Sequence, residues 1–257
     1  MRILSLVLLS LCLGQLALGK NQKQSKDFQF GVTLKNYEYS EPSIDVSHKG
    51  LLYGIWGEWL WGSAMGNGRT LADLVFGTLN YHGGYYDEFS NFTPVEADTL
   101  DVITKIATRL EYPVAPGIAG FAGFGGRYLY DMGNNPDNLT IFYRRTGLWF
   151  FVPVGLNLNL DSSVGKIFFD LQYDFIVYGK FESRLGDSLA GAPTISHTQT
   201  GYGLTLTSGL QNDDYSAAVF YETWNLNKSN GVQYGISTFT EPQNSSTAIG
   251  LKLGYKF

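Results

Sequence analysis

The sequence contains three histidines, and two of them directly follow a serine: His48 follows Ser47, and His197 follows Ser196. A histidine beside a hydroxyl group is the pair that nucleophilic hydrolases use, with the imidazole as general base. Neighbouring residues of an extended chain point to opposite faces, so neither pair can itself be a dyad. All three histidines, including His82, lie in expected loops or at strand ends. The sequence therefore predicts no catalytic residue, no cofactor and no metal site.

A glycine-rich stretch at 117–127, GIAGFAGFGGR, invites comparison with a phosphate-binding loop. Such a loop is followed by a helix whose N-terminus binds the phosphate. Here an alternating pattern continues through Tyr128 and Tyr130, which predicts a strand and argues against nucleotide binding. Gly123 and Gly125 are expected to face inward and to leave room for larger side chains of neighbouring strands.

Ten charged residues of both signs occupy the polar positions of segments in which apolar and polar residues alternate. They are Lys105, Arg109, Glu111, Arg127, Asp170, Asp174, Lys180, Glu182, Glu222 and Lys252. Period-two alternation places such residues on one face of a sheet. If that face encloses a narrow interior, each charge needs a partner, so we expect a polar network of ion pairs. A hydrated plug is the leading interpretation, and a narrow solute pathway is the alternative.

The clearest alternating segment is Lys166 to Arg184, KIFFDLQYDFIVYGKFESR. Ile167, Val177 and Phe181 fall on its apolar parity, and the charged residues fall on the other. From Ile167 to Val177 there are ten steps of roughly 3.3 Å, or about 33 Å of strand. A strand tilt near 40° projects this length to about 25 Å along the barrel axis. That is the height of the apolar band of a transmembrane barrel, whereas strands of soluble proteins average about 5–6 residues.

Nine further segments show similar alternation and are predicted to be strands. They are 28–38, 51–61, 71–82, 100–112, 117–130, 147–160, 200–210, 215–226 and 247–257. Only 71–82 has an ambiguous facing, because Asp73 and Asn80 fall on opposite parities. Ten strands fit best, with eight or twelve as alternatives. Short connections at 113–116, 159–164 and 211–214 alternate with longer ones at about 39–50, 83–98, 131–139, 183–199 and 227–246, and the 63–70 turn is somewhat long for its side.

The first residues have the features of an export signal. Arg2 precedes an apolar run, and Ala17-Leu18-Gly19 gives a small-x-small cleavage pattern, so we expect a signal peptide at 1–19 and a single mature domain at 20–257. The single cysteine, Cys12, lies within the signal. No later segment is long and apolar enough for a transmembrane helix. A net charge of -5 argues against nucleic acid as a partner.

The chain ends in TAIGLKLGYKF, alternating up to the aromatic Phe257. With the signal peptide and the alternating segments, this ending resembles small Gram-negative outer-membrane β-barrels, although no narrower family is matched. The fold prediction is all-β: a closed, antiparallel, up-and-down transmembrane barrel in which 247–257 pairs with 28–38, because backbone groups in lipid must all be paired. The resemblance implies that the barrel-assembly machinery recognises the strand ending at Phe257. A soluble sandwich or lipocalin-like binding protein is the alternative fold.

Arg144 and Arg145 lie just above the apolar band of their strand. By parity, Arg144 is expected to face lipid, where a guanidinium can pair with lipopolysaccharide phosphates, and Arg145 is expected to face the lumen. The predicted function is an integral outer-membrane protein in contact with lipid and lipopolysaccharide, non-catalytic, and either a structural or adhesive barrel or a narrow pore. A barrel enzyme acting on lipid A or surface peptides is the alternative.

Overall fold

The computed structural model describes residues 27–63, 66–86, 92–133, 143–187, 191–235 and 237–257; the expected signal peptide lies outside them. The described chain forms thirteen strands and a single 3-10 turn at Leu185–Asp187. The strands are β1 Asp27–Glu41, β2 Val46–Ser63, β3 Gly66–Tyr86, β4 Phe92–Ala115, β5 Ile118–Gly133, β6 Arg145–Ser162, β7 Gly165–Arg184, β8 Thr194–Thr198, β9 Gly201–Gln211, β10 Tyr215–Leu226, β11 Val232–Tyr234, β12 Ser237–Phe239 and β13 Asn244–Lys256. None of the described residues forms a helix long and apolar enough to cross a membrane.

The sheet closes into an antiparallel, up-and-down barrel with ten strand positions. Each position pairs with its neighbours along the chain, and β8 and β9 share one position because both pair with β7. The last strand closes on the first, with Phe30 opposite Tyr255 and Ser40 opposite Ser245. The backbone N–H of Phe257 donates to the carbonyl of Phe28 at 2.8 Å, which continues the seam to the last residue. All ten predicted segments coincide with strands of the barrel, and the predicted closure is confirmed.

The outer face of the barrel is apolar around its whole circumference. Each of the ten positions exposes a large apolar side chain there: Phe30, Ile55, Phe76, Leu100, Phe124, Leu156, Phe175, Leu206, Val219 and Leu251. Soluble monomers rarely expose contiguous apolar surface beyond a few hundred Å². The alternative of a soluble sandwich or lipocalin is therefore wrong, since both would turn this face inward.

The two ends of the barrel differ. The end that carries the described termini, here called the turn end, joins its strands tightly: β2 and β3 stay paired up to Ser63 and Gly66, so the expected 63–70 turn is mostly strand. The opposite end, here called the loop end, carries the longer connections. Its first connection is shorter than the expected 39–50 loop, because only four residues separate Glu41 from Val46. Asp45 adopts a positive φ of 52° there, which Asp tolerates better than most residues.

A β-bulge in β7 reverses the facing of its loop-end half. Phe150 of β6 pairs with Tyr178 but Phe151 pairs with Ile176, so Val177 is an extra residue in β7. One inserted residue shifts every later side chain to the other face of the sheet. Phe181 is consequently buried inside the barrel. Lys180 and Glu182, which the sequence analysis placed in the lumen, lie on the outer face, and this part of the predicted network is wrong.

Candidate functional site

Arg109 is the centre of a charged cluster near the turn end of the lumen. Its guanidinium contacts Glu111 at 3.1 Å and Gln172 at 3.3 Å, and it forms an ion pair with Asp170. It also lies 3.9 Å from the centre of the Phe121 ring. Arg109 is only 1% exposed, so these contacts provide nearly all of its stabilisation. The structure thus brings together three of the predicted network residues, in agreement with the alternation of β4 and β7.

Arg69 extends this cluster, although the sequence analysis missed it. The guanidinium lies 3.2 Å from Glu58 and 2.8 Å from Glu111. Arg69 falls within the stretch expected to be a turn, so no facing was assigned to it. The neighbouring Asp73 faces inward and pairs with Lys252 at 2.7 Å, which resolves the ambiguous facing of β3.

A second group of charges lies at mid-height. Lys105 contacts Asp174 at 3.1 Å and Glu222 at 3.6 Å, and Glu222 also lies 4.0 Å from Lys35. Lys35 was not among the predicted residues. The alternation of 28–38 predicts a strand from its apolar parity, and Lys35 is a charged residue on the opposite parity. This group joins β1, β4, β7 and β10 across the lumen.

Arg127 has no ion pair within the part of the chain that the structure describes. Its guanidinium lies 5.3 Å from the Trp149 ring centre and 5.0 Å from that of Trp224. Cation–π contacts are worth about 2 kcal/mol or more when the pair is desolvated. The predicted network residue is therefore held by aromatic rings instead of by a carboxylate.

A cavity of about 70 Å³ lies among the mid-height charges. Its wall includes Lys35, Asp73, Lys105, Glu222 and Lys252. A water molecule needs about 10–15 Å³ of such space, so the cavity can hold several waters. These waters would solvate charges that the direct ion pairs leave partly unsatisfied.

Apolar side chains fill the lumen between the mid-height charges and the loop end. The cluster comprises Tyr37, Tyr39, Leu52, Val75, Leu79, Ile103, Leu129, Trp149, Phe181, Leu226 and Ala248, and Trp149 is 0% exposed. We call these residues the apolar layer. Alternation alone could not reveal it, because the inward parity was expected to be polar. Buried side chains of this kind pack at the density of protein interiors, with few voids larger than a water molecule.

Arg145 organises a polar cluster above the apolar layer. It contacts Asp131 at 2.7 Å and Glu41 at 3.1 Å, and its Nη2 lies 2.8 Å from Nε2 of His48. The facing predicted for Arg145 matches its position. The sequence analysis missed Glu41 and Asp131, since both lie in regions expected to be loops.

His48, Asp101 and Asp131 each place a potential ligand atom within 4.8 Å of the others. A guanidinium is always a donor, so Nε2 of His48 must accept from Arg145. In the neutral ring Nδ1 then carries the proton, and it lies 3.3 Å from the hydroxyl of Thr99. Both ring nitrogens are therefore engaged, and Arg145 already supplies the cation. This arrangement does not fit a metal ion.

Residues 227–235 and 237–243 lie between β10 and β13 at the loop end, and they include a buried carboxyl group. Glu241 is 6% exposed. Its backbone N–H donates to Oγ of Ser229 at 2.7 Å, and the N–H of Ser229 donates to the Glu241 carbonyl at 3.0 Å. Burial raises the pKa of Glu241 to about 7; the carboxylates of Glu41 and Asp131 act in the same direction, whereas Arg145 opposes them.

The other two histidines lie in different surroundings. Nδ1 of His197 is 3.3 Å from Oγ of Ser229, but that hydroxyl donates to the carbonyl of Asn230 at 3.0 Å and accepts from a backbone N–H. The serine hydroxyl is therefore bonded to two backbone groups in addition to its contact with His197. His82 is exposed and lies 3.5 Å from Glu96.

Arg144 lies outside the lumen, on the outer side of the loop end. Its guanidinium forms two contacts with the carboxylate of Asp187, at 2.7 and 2.8 Å. Hydrogen bonds from Arg144 lower the pKa of Asp187 to about 2. The side chain of Arg144 remains 41% exposed.

Comparisons with known proteins identify the fold class and nothing narrower. No protein-family model matches the sequence, and no curated protein matches it. The outer membrane protease OmpT from Escherichia coli aligns with 93% of this chain and 99% of its own, at 10% identity and a TM-score of 0.51. The β domain of the Bordetella autotransporter BrkA has 8% identity and a TM-score of 0.44, covering 91% of this chain and 100% of its own. At such identities only the fold is shared, and the chain has the closed β-barrel fold of outer-membrane proteins.

Proposed function

We propose that this protein is an integral outer-membrane barrel with a closed lumen, that it is non-catalytic, and that it acts through the surface of its loop end. The apolar layer carries the proposal. It crosses the lumen between two charged clusters, so an ion entering from either end would have to leave water and displace packed side chains. Transfer of an unpaired charge into such an environment is strongly unfavourable.

The location in the envelope is part of the proposal. An apolar circumference suits lipid, and a signal peptide at 1–19 would export the chain. The turn end would face the periplasm and the loop end the exterior. The barrel-assembly machinery would recognise β13 and Phe257, which lies beside Phe28 at the seam with a ring separation of 6.2 Å. Cell fractionation tests export by comparing the location of the full chain with that of a chain that lacks residues 1–19. A refolded protein that migrates the same in detergent gels before and after heating would contradict the barrel in lipid.

Conductance in planar bilayers tests the closed lumen. The wild-type protein should give no stepwise current. If it conducts, and an Asp170→Ala/Asp174→Ala variant conducts differently, the barrel is a narrow pore and the proposal fails. Both carboxylates contact lumen cations, so an ion path through the network would respond to their removal.

A hydrolase acting on lipid A or surface peptides is the competing function, and the contact between His197 and Ser229 is the observation that favours it. A Ser229→Ala variant separates the two. Lipase or protease activity that is measurable in the wild type and absent from this variant would establish the enzyme. If instead neither protein is active, or both are equally active, that pair is not a catalytic site.

A further inference from the structure

The bulge at Val177 brings charged side chains to the outer face of β7. Beyond it, Lys180, Glu182 and Arg184 point away from the lumen, on the same side as Arg144. Arg184 and Arg144 are neighbours across the sheet, because the N–H of Arg184 donates to the Arg144 carbonyl at 3.0 Å. Three cations therefore lie together at the loop end of β6 and β7. We call Arg144, Lys180 and Arg184 the rim cations.

Two of the rim cations have carboxylate partners and one does not. Arg144 is bound by Asp187, and Lys180 lies 2.6 Å from Glu182. Arg184 is exposed and has no ion pair with any carboxylate that the structure describes. The group carries three positive and two negative charges, so one positive charge is in excess.

The other outward ion pairs at the loop end have no excess of positive charge. On β1 and β2, Glu38 and Lys49 form a pair at 3.0 Å and cancel. On β3 and β4, His82 lies 3.5 Å from Glu96, and this pair has no positive excess in either state of the imidazole, because one cation would only balance the carboxylate. Among the described strand residues of the outer face, the rim cations therefore form the site at the loop end with a positive excess.

The rim cations lie just beyond the apolar surface of the same strand. Phe175, Val177 and Tyr178 are all exposed on the outer face, with Val177 at 60%. A group bound to Arg184 would thus extend its apolar part along these side chains. The ligand that fits is amphipathic, with an anionic headgroup at the rim and acyl chains against the barrel wall.

We propose that the rim cations bind a phosphate of a lipid A-type glycolipid in the outer leaflet. This inference rests on the proposed outer-membrane location. A guanidinium can bind a phosphate through two parallel hydrogen bonds, and Arg184 is the one with both donor edges available. Lys180 would reorient from Glu182 toward the phosphate, because a solvent-exposed ion pair holds a flexible lysine only weakly. Arg144 stays with Asp187 and adds its charge at the edge of the site.

The decisive experiment compares the binding of lipid A that carries both phosphates with the binding of fully dephosphorylated lipid A. The folded protein in detergent micelles is titrated with each lipid, and the dissociation constant and the thermal unfolding midpoint are recorded. Arg184→Gln should weaken binding of the phosphorylated lipid about tenfold, the loss of one charge-assisted bidentate contact. Dephosphorylated lipid should bind the wild type and Arg184→Gln equally.

Lys49→Gln is the matched control, since it removes an exposed loop-end cation from the paired site on β1 and β2. It should leave the affinity for phosphorylated lipid unchanged. Lys180→Gln gives a second test that does not depend on Arg184. Heat-dependent gel migration verifies that each variant is folded. The proposal would be overturned by equal affinity for the two lipids, or by equal losses of affinity in Arg184→Gln and Lys49→Gln. If inorganic phosphate displaces lipid A at equal concentration, the site binds free phosphate instead. Neither result bears on bilayer conductance, which tests the closed lumen separately.

Discussion

Arg109→Met should be among the most destabilising single substitutions in the lumen. Methionine keeps much of the apolar stem of arginine but removes the charge. Glu111 then retains Arg69 at 2.8 Å. Among the described residues, Asp170 then keeps the amide of Asn157, at 3.3 Å, as its hydrogen-bond donor, and so becomes a largely buried carboxylate without an ion pair.

The expected loss in free energy of unfolding follows from the unpaired Asp170 carboxylate. Breaking a buried ion pair by removing one partner costs about 3–5 kcal/mol. The hydrogen bond from Asn157 offsets part of this cost, so we expect about 3 kcal/mol. Adding Asp170→Asn to Arg109→Met removes the stranded charge and should recover most of the loss. Arg109→Lys should recover little, because an ammonium cannot reproduce the fork that reaches both Glu111 and Gln172.

Urea unfolding in lipid vesicles, followed by tryptophan fluorescence, measures these free energies. Lys49→Met is the exposed control, with an expected change below about 1 kcal/mol. A loss below that limit for Arg109→Met, or a double variant less stable than Arg109→Met alone, would refute the reasoning that a buried ion pair sets the cost.

Three further predictions concern the lumen and the loop end. Trp149→Ala should open a cavity in the apolar layer at a cost of about 3–5 kcal/mol and raise bilayer conductance, whereas the outward Phe150→Ala should not raise it. Gly125→Val should prevent assembly, judged by gel migration, because a Cβ there meets an aromatic ring of β6 at 2.4 Å; at Gly126 the nearest atom is 3.6 Å away, so Gly126→Ala should assemble. The raised pKa of Glu241, about 7, means that docking of the described residues around it, 237–243, weakens as pH rises from about 4.5 to about 7. The protection factors of the amides in 237–243, which are exchange rates corrected for the intrinsic pH dependence, should fall over this range, and a Glu241→Gln variant whose protection factors fall equally would contradict the assignment.

Much of the fold could be predicted from the sequence because a strand in contact with lipid must have a regular pattern. A strand with one face in lipid must alternate, and Phe30, Phe175 and Leu251 follow that rule on three different strands. The pairing of β13 with β1 also followed, since an open edge in lipid leaves backbone groups unpaired. The limits of the longer connections were less readable. At 39–50, polar residues suggested a loop, although most of that stretch continues the two strands beyond the apolar band.

The candidate sites were less predictable than the strands. Lys105, Arg109 and Asp174 were identified as inward by parity, but parity says nothing about which partner lies across the lumen. Arg127 shows this limit, because it lies between two indole rings and not beside an acid. The apolar layer was missed for a related reason: inward apolar residues interrupt the expected polar face without changing the outward pattern.

The sequence by itself determined the all-β class, the ten alternating segments and the apolar face of each one, because each depends on the order of residues along a single strand. Only the tertiary structure decided the facing of Lys180, Glu182 and Phe181, since the bulge is defined by register against β6. It also decided that ten strand positions close the barrel, which charges meet and where the apolar layer lies. Those contacts join residues far apart in the chain, and the stagger of neighbouring strands that brings them together is not encoded in the period of any one strand.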